Sequence, residues 1–572
     1  MQYMEIFKKA IKNLKSKIKS IPKPFIGVIL TIIILISPLL NDKIIFGHDY
    51  AFHATNNILS YNYIDIFKLD LILPKIFGGT IANGFGYGTG LFYPPLSYYL
   101  TSYISYFFNL TDNNTVLSLT YLEIVIIIAS GIIMYRFTKR ISKDDYVSMI
   151  SSISYICSTY FICNIYTRTA LGEALIPVFL PLVFWGLYEL FFGEEKKFNL
   201  LFTIGYIGMI NSHLVLSIFI TLIIIIIFLI YYKKVFKKEK IIKLIKSSII
   251  IILISSPYLI QLLEHKFLGN YTVFEENAMY TIDSVKQEAL KLTDFIIIRF
   301  KTYNGVEVYI NYMTLITSII TIISSKKIFK KENSELYKII LLIVIISAFM
   351  STKYFPWGIM PSFIKMIQFP WRLCGITSLG LSILSGHIVK KIDKKYKKYL
   401  ACLIAGFIII FGYSTISKEY VYDIIIPNKM DMGVQSEYLP SNTKNNIEYF
   451  ENRSQNIMVK TGNAEVSIIE NNTPYLKSKI ILNSEAVTIE LPRLYYLGYK
   501  IILTDREGNK NQIEYYENEY GFIELEVNKN GTLEIDYEGT IAIKIANHIS
   551  LLTIVLSSII LITKKVKSHK SR

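Results

Sequence analysis

Long apolar runs closed at their ends by lysine or arginine recur along most of this chain. Such runs read as helices that cross a bilayer, each needing about 20 residues to do so. The pattern predicts spans at Phe25–Leu40, Val116–Tyr135, Tyr146–Ile165, Ala174–Phe192, Phe198–Asn211, Leu214–Tyr232, Ile241–Leu263, Val306–Ile323, Ile339–Thr352, Leu373–Val389, Tyr399–Tyr413 and Ile545–Thr563, a bundle of about twelve helices. Near the C-terminus the period changes. Asn456–Val459, Ala464–Ile469, Ser478–Leu482, Ala486–Leu491, Lys500–Thr504, Gln512–Tyr516, Phe522–Val527 and Thr532–Tyr537 alternate or run apolar between turn signals such as Asn530–Gly531. That predicts a small antiparallel β-sandwich before the last helix.

Composition sharpens this picture. With 52% hydrophobic and 18% charged residues over 572 positions and a mean hydropathy of +0.39, the chain is a mainly α, polytopic membrane protein rather than a string of soluble domains. A net charge of +17 would suit nucleic acid, but the lysines gather at the ends of apolar runs, as a cytoplasmic membrane surface requires, so a nucleic-acid partner is disfavoured. Cys157, Cys163, Cys374 and Cys402 show neither Cys-x-x-Cys nor Cys/His spacing, which indicates no disulfide framework and no zinc site.

One apolar stretch, Leu91–Leu110, decides the topology. A crossing there would turn Arg136, Lys139, Arg140 and Lys143 outward, and every later lysine cluster with them, against the positive-inside rule. Its tyrosines (Tyr93, Tyr98, Tyr99, Tyr103, Tyr106) and Pro94–Pro95 suit an interfacial helix at the headgroup level instead. Lys196–Lys197, Lys233–Lys246, Lys326–Lys331, Lys390–Lys398 and Lys564–Lys567 then all face the cytoplasm. The expected organisation is a basic cytoplasmic N-terminus (1–24), a transmembrane domain (25–416) with a first outer loop (41–115), an extracytoplasmic β-rich domain (417–544), and a final helix with a basic cytoplasmic tail (545–572).

On this topology the least expected residues collect on the outer side. Gly47-His48-Asp49-Tyr50-Ala51-Phe52-His53 opens the first outer loop; two imidazoles and a carboxylate can serve proton transfer or a divalent metal, or form only a polar cap. Asn83-Gly84-Phe85-Gly86-Tyr87-Gly88-Thr89-Gly90, leading into Phe92-Tyr93-Pro94-Pro95, lacks the lysine of a phosphate-binding loop. It suits either close backbone approach to a sugar or phosphate, with exposed rings such as Tyr87 and Tyr93, or a tight packing turn. Arg168 and Glu173 sit at a second outer turn, where charges are solvated, paired or used. Trp371 and Arg372 place a ring and a guanidinium at another outer boundary, as an aromatic belt or as a phosphate fork. His213 interrupts an apolar stretch near the same face, and Glu123 lies inside a span and needs a partner. Features that share one side are what a single site between outer loops and helix ends would produce.

These segments, together with Glu437-Tyr438-Leu439-Pro440 and Tyr495-Tyr496-Leu497-Gly498-Tyr499-Lys500, resemble bacterial membrane proteins labelled 6-pyruvoyl-tetrahydropterin synthase-related, which are akin to YfhO-type proteins and to the GT-C membrane glycosyltransferases. The pterin label implies no activity here, since a clustered histidine zinc site is missing. The resemblance implies a GT-C-like bundle, interfacial helices in the first outer loop and a lipid-linked sugar donor. Asp49 looks like the first-loop acid of that class and Glu173 like the acid of the second outer loop. Asn56 and Asn57 stand where an arginine is expected and Pro95 where an acid is usual, so Lys75 or Arg372 is the candidate phosphate contact.

The function expected on these grounds is sugar transfer from a polyprenyl-phosphate donor to an extracytoplasmic envelope glycan or glycolipid acceptor at the membrane. In that scheme Asp49, His48, His53 and Glu173 serve the chemistry, while Arg168, Arg372, Trp371, Lys75, Tyr87, Tyr93 and His213 hold substrate. No nucleotide cofactor is expected, and a divalent cation at Asp49 lacks the ligand count. The rival expectation is a non-catalytic lipid or glycolipid transporter, or an accessory subunit of envelope polymer assembly.

Overall fold

The computed structural model describes residues 22–61, 75–79, 81–193, 195–275, 281–295, 310–324, 334–416, 421–424, 432 and 436–570. The N-terminus up to residue 21, the Lys326–Lys331 cluster and the start of the Val306–Ile323 run lie outside the described residues.

The helical part contains α1 (Lys23–Ile36), α2 (Tyr50–Tyr61), α3 (Leu96–Phe107), α4 (Leu117–Ser142), α5 (Asp145–Ile156), α6 (Thr159–Tyr166), α7 (Leu171–Phe192), α8 (Glu195–Ser212), α9 (Leu214–Ile230), α10 (Lys238–Leu268), α11 (Tyr312–Ile323), α12 (Ser334–Met350), α13 (Cys374–Gly386), α14 (Lys394–Tyr413) and α15 (Ile541–Lys570). Among the described residues six helical stretches, those of α4, α7, α10, α13, α14 and α15, are long and apolar enough to cross a membrane, or seven with the bent pair α5–α6. Four shorter apolar helices accompany them. Length and composition thus support six or seven of the roughly twelve expected crossings. Helix α3 occupies the Leu91–Leu110 stretch with 12 residues, about 18 Å of helix, too short for a hydrocarbon core of about 30 Å.

Two local devices shape the bundle around the later site. Tyr146–Ile165, expected as one span, bends by 44° between α5 and α6. At the break the Cys157 carbonyl accepts from Asn311 Nδ2 at 3.3 Å, and Ser158 is extended, so a side chain from α11's cap has drawn a carbonyl out of the helical ladder. In α7, Pro181 has no N–H to give to the carbonyl of Pro177, four residues earlier. The Tyr155 hydroxyl donates to that carbonyl instead, at 3.1 Å.

The C-terminal part is a two-sheet antiparallel sandwich. Strand β1 (Ile44–Ile45) pairs with β2 (Val421–Tyr422) and ties the start of the 41–115 segment to the chain that leaves α14. The sandwich strands are β3 (Met458–Thr461), β4 (Ala464–Asn472), β5 (Tyr475–Leu482), β6 (Val487–Leu494), β7 (Tyr499–Asp505), β8 (Lys510–Gln512), β9 (Tyr516–Glu517), β10 (Phe522–Val527) and β11 (Gly531–Tyr537). Their orders are β3-β6-β10-β9 and β4-β5-β11-β7-β8. Inward residues such as Ile480, Ile489, Leu491, Ile501, Leu525 and Ile535 are buried.

The glycine-aromatic segment clasps this sandwich to the bundle. Phe77 and Tyr87 exchange backbone hydrogen bonds at 2.8 and 2.9 Å, and Leu494 N–H donates to the Phe85 carbonyl at 3.0 Å. Phe85 packs edge-on against Phe522 with centroids 5.0 Å apart. Gly86 adopts φ +93°, and a Cβ there would lie 2.8 Å from Ile76; only glycine fits without strain. The rings of this segment are therefore core, not exposed. Tyr87, expected to face a sugar, is fully buried, donating to the Met432 carbonyl at 2.5 Å and accepting from Tyr438 N–H at 3.1 Å.

Candidate functional site

Three chain segments converge where α6 ends and α7 begins. Gly47 N–H donates to Thr169 Oγ1 at 3.2 Å, and a Cβ on Gly47 would sit 2.7 Å from the Thr167 carbonyl. This close approach lets His48 N–H reach the Thr167 carbonyl at 3.2 Å and Asp49 N–H the Arg168 carbonyl at 2.7 Å. The zipped backbones deliver the Asp49 side chain beside Arg168. Thr169, at φ +53°, turns the chain into α7, so that Glu173 falls in the first helical turn, where the helix dipole favours a carboxylate. Arg372 comes from the 3₁₀ turn Pro370–Leu373 ahead of α13.

The result is a nearly buried ion cluster. Arg168 Nη1 lies 2.8 Å from Glu173 Oε2 and Arg372 Nε 2.9 Å from Glu173 Oε1, with all three side chains under 8% exposed. Arg168 Nη2 also reaches Asp49 Oδ2 at 3.4 Å, and the Asp49 side chain is 35% exposed. Around them Tyr160 donates to Glu173 at 3.2 Å and Arg168 donates to Asn164 Oδ1 at 2.9 Å. Arg372 Nη1 donates to Gln368 Oε1 at 2.7 Å and to the Ile367 carbonyl at 2.9 Å. Trp371 is buried, lies 5.0 Å under the Arg168 guanidinium and donates to Glu288 at 3.4 Å. His213 accepts from Leu216 N–H through Nδ1 at 3.2 Å. That leaves Nε2 as the protonated nitrogen of a neutral ring, 3.8 Å from Glu173.

Asp49, His48, Arg168, Glu173, Trp371, Arg372 and His213 are thus brought together. His53 follows one turn along α2, buried among Phe52, Tyr93 and Tyr98, and the Tyr93 hydroxyl lies over Gly172 at the start of α7. Lys75 is elsewhere, within electrostatic reach of His265, and burial lowers its pKa to about 8. Asn56 and Asn57, at the positions where an arginine was expected, are absorbed by packing: Asn56 donates to the Phe52 carbonyl at 2.7 Å and Asn57 to the Thr115 carbonyl at 2.8 Å.

Burial holds Asp49 above the usual carboxylate range although Arg168 opposes it, which makes it a better proton acceptor than a solvated aspartate once ionised. Burial lowers His53 to about 3, so this ring is neutral, and its buried Nδ1 makes no hydrogen bond among the described residues. Glu437 was not among the expected site residues, although its segment Glu437-Tyr438-Leu439-Pro440 carries part of the family resemblance. Burial raises its pKa to about 7, with Asp49 adding to the rise and Arg372 opposing it, which places this carboxyl within electrostatic reach of the cluster. The residue arrives from a segment far along the chain, and no local spacing could have announced it. Among the described residues no three His, Cys, Asp or Glu side chains converge as a metal site would require.

Against known proteins, the family profile described as bacterial membrane protein YfhO matches residues 76–491. The chain belongs to the YfhO family. This chain is 24% identical over 586 aligned positions to an "uncharacterized protein" of Lactococcus lactis subsp. cremoris (strain MG1363), covering 91% of this chain and 93% of that one. Among solved structures it is similar, at a TM-score of 0.34 and 13% identity, to the archaeal oligosaccharyltransferase AglB from Archaeoglobus fulgidus in complex with an inhibitory peptide and a dolichol-phosphate. That likeness covers 71% of this chain and 56% of AglB.

Proposed function

We propose that this YfhO-family protein is a membrane glycosyltransferase that moves a sugar from a polyprenyl-phosphate donor to an acceptor in the cell envelope. The observation that carries the reading is the asymmetry of the cluster: one buried carboxylate, Glu173, holds two guanidiniums, while the second carboxylate, Asp49, is partly exposed and more loosely held. The acceptor hydroxyl attacks the anomeric carbon, and Asp49 takes its proton. The bond from that carbon to the phosphate oxygen breaks with its electron pair going to the phosphate. Arg168 and Arg372 meet the charge that develops there, preorganised by Glu173 so that little reorganisation is needed. His48 and His53 orient the acceptor side, and His213, Tyr93 and Trp371 wall the cluster.

The orientation follows from charge. Arg140 pairs with Glu189, Lys139 with Asp145 and Lys397 with Asp144 at the bundle end opposite Asp49. The positive-inside rule favours that end in the cytoplasm and the sandwich outside. A donor delivered through the bilayer suits a site on the outer side.

The test is Asp49→Asn in proteoliposomes supplied with polyprenyl-phosphate sugars. Turnover is expected to drop by about 10²–10⁴-fold, the usual contribution of a positioned base, and unchanged turnover overturns the proposed role. A second reading, glycolipid transport or an accessory role without chemistry, is favoured by one observation: Glu173 already satisfies both arginines internally at 2.8 and 2.9 Å. Donor redistributed between leaflets with no donor consumed would select it.

A further inference from the structure

Beside the clasp, the first loop and the sandwich leave an open cleft of about 990 Å³. Its rim carries four side-chain amides, Asn83, Gln455, Asn471 and Asn472, together with Tyr475 and Asp536. The chain has 61 lysines and arginines, yet none lines this cleft among the described residues. Among the described lining residues a polyanion would therefore meet a carboxylate and no cation. A lining of neutral amides, one carboxylate and one ring matches instead a polyol, whose hydroxyls both donate and accept and whose C–H faces stack on aromatic rings.

The rim is held in shape from beneath. Arg493 is completely buried in β6 and spends its guanidinium on the β4–β5 hairpin tip, donating to Asn471 Oδ1 at 2.6 Å, to the Tyr475 carbonyl at 2.8 Å and to the Pro474 carbonyl at 3.2 Å. Asn471 Nδ2 in turn donates to Gln455 Oε1 at 3.4 Å, and Gln455 Nε2 donates to the Asn83 carbonyl. Thr473 closes the row by donating to the Gly84 carbonyl at 2.6 Å. Three separate stretches of chain are thus locked into one polar wall by a buried cation. Such preorganisation lowers the entropy that a flexible polar surface would lose on binding. Gly79, on the cleft's edge, packs on Leu59 of α2, and the other end of α2 abuts Asp49, about 15 Å away along the helix axis.

We infer that this cleft binds a neutral saccharide chain; calling that chain the acceptor rests on the transferase reading, whereas the binding does not.

The experiment uses the full-length protein in nanodiscs and saturation-transfer NMR with maltohexaose, cellohexaose and chitohexaose, and a polygalacturonate hexamer as anionic control. At least one neutral hexasaccharide binds, the anionic control does not, and Asn472→Trp and Tyr475→Ala each weaken binding at least tenfold. Asn472 is exposed, so the tryptophan blocks the cleft without entering the core. Asp49→Asn binds as the wild type does. Absence of binding by all three neutral chains, preference for the anionic one, or wild-type binding by both cleft variants overturns the inference. Saccharide binding with no donor turnover sinks the transferase reading alone; donor turnover with cleft variants that bind like wild type sinks the cleft alone.

Discussion

The two ends of helix α7 each bury a glutamate, and the two are built differently. Glu189, about 24 Å from Glu173 along the axis, takes both arms of one arginine, Arg140, at 2.7 and 3.0 Å, and the Trp185 indole N–H at 3.0 Å. Donors and acceptors match in a closed fork whose arginine is 27% exposed. Glu173 is asked to neutralise two guanidiniums at once, both nearly buried, with a second carboxylate alongside that is only loosely engaged. A matched pair anchors a helix end. A cluster with two cations around one buried anion can re-pair when another anion arrives, and on the proposed transferase reading that distinguishes the Glu173 end from the Glu189 end.

The sharpest way to break this contrast is to remove each carboxylate. Glu173→Ala leaves two buried guanidiniums without their main partner, and transfer by the folded fraction is expected to fall by about 10²–10³-fold. Glu189→Ala is expected to lower stability by about 3–5 kcal/mol while turnover per folded molecule stays within about twofold of wild type. Equal losses of turnover at both ends would erase the distinction. Thermal unfolding in detergent, paired with donor consumption, reads both quantities.

Next in size is a pH effect confined to the Asp49 side. Glu437 has its pKa raised from 4.5 to about 7 by burial. Below about 4.5 it is protonated in folded and unfolded chains alike, and Glu437→Gln matches wild type. As pH rises from there to about 7 the unfolded chain ionises while the folded one holds its proton, so wild type loses stability relative to the glutamine variant. The full difference, about 1–3 kcal/mol, is present above about 7. A stability gap that is flat with pH, or that widens toward acid, would remove Glu437 from the buried surroundings of the cluster. The smallest effect belongs to the opposite end. Lys397→Ala breaks a partly exposed pair with Asp144 and is expected to shift stability by about 1 kcal/mol or less, with transfer unchanged.

The sandwich was the most legible part of the fold. Phe522–Val527 was expected and observed with the same bounds, and β11 begins one residue before the expected Thr532–Tyr537. Strands buried on one face advertise themselves with a period of two. Gln512–Tyr516 fared worse, because the chain turns there between β8 and β9. In the bundle the apolar runs located the helices, but the bend at Cys157 was invisible because it is made by Asn311 from a distant helix cap. At the site, spacing pointed to Asp49, Arg168, Glu173 and Arg372 individually. It misjudged Tyr87, since a ring between glycines looks the same in sequence whether it faces solvent or fills a core.

What residue order settled by itself is the material: which stretches are apolar enough to be helices in a membrane, which alternate enough to be strands, and which ionisable groups stand where burial is costly. Those properties are local, summed over a few turns or a few residues. What only the tertiary structure decided is partnership. Glu173 meets Arg372 across 199 positions of sequence, and Asn83 meets Gln455 across 372. Hydrogen bonds and ion pairs act over a few ångströms, so which groups share a cluster or a cleft depends on how helices and sheets pack, and no local pattern records that.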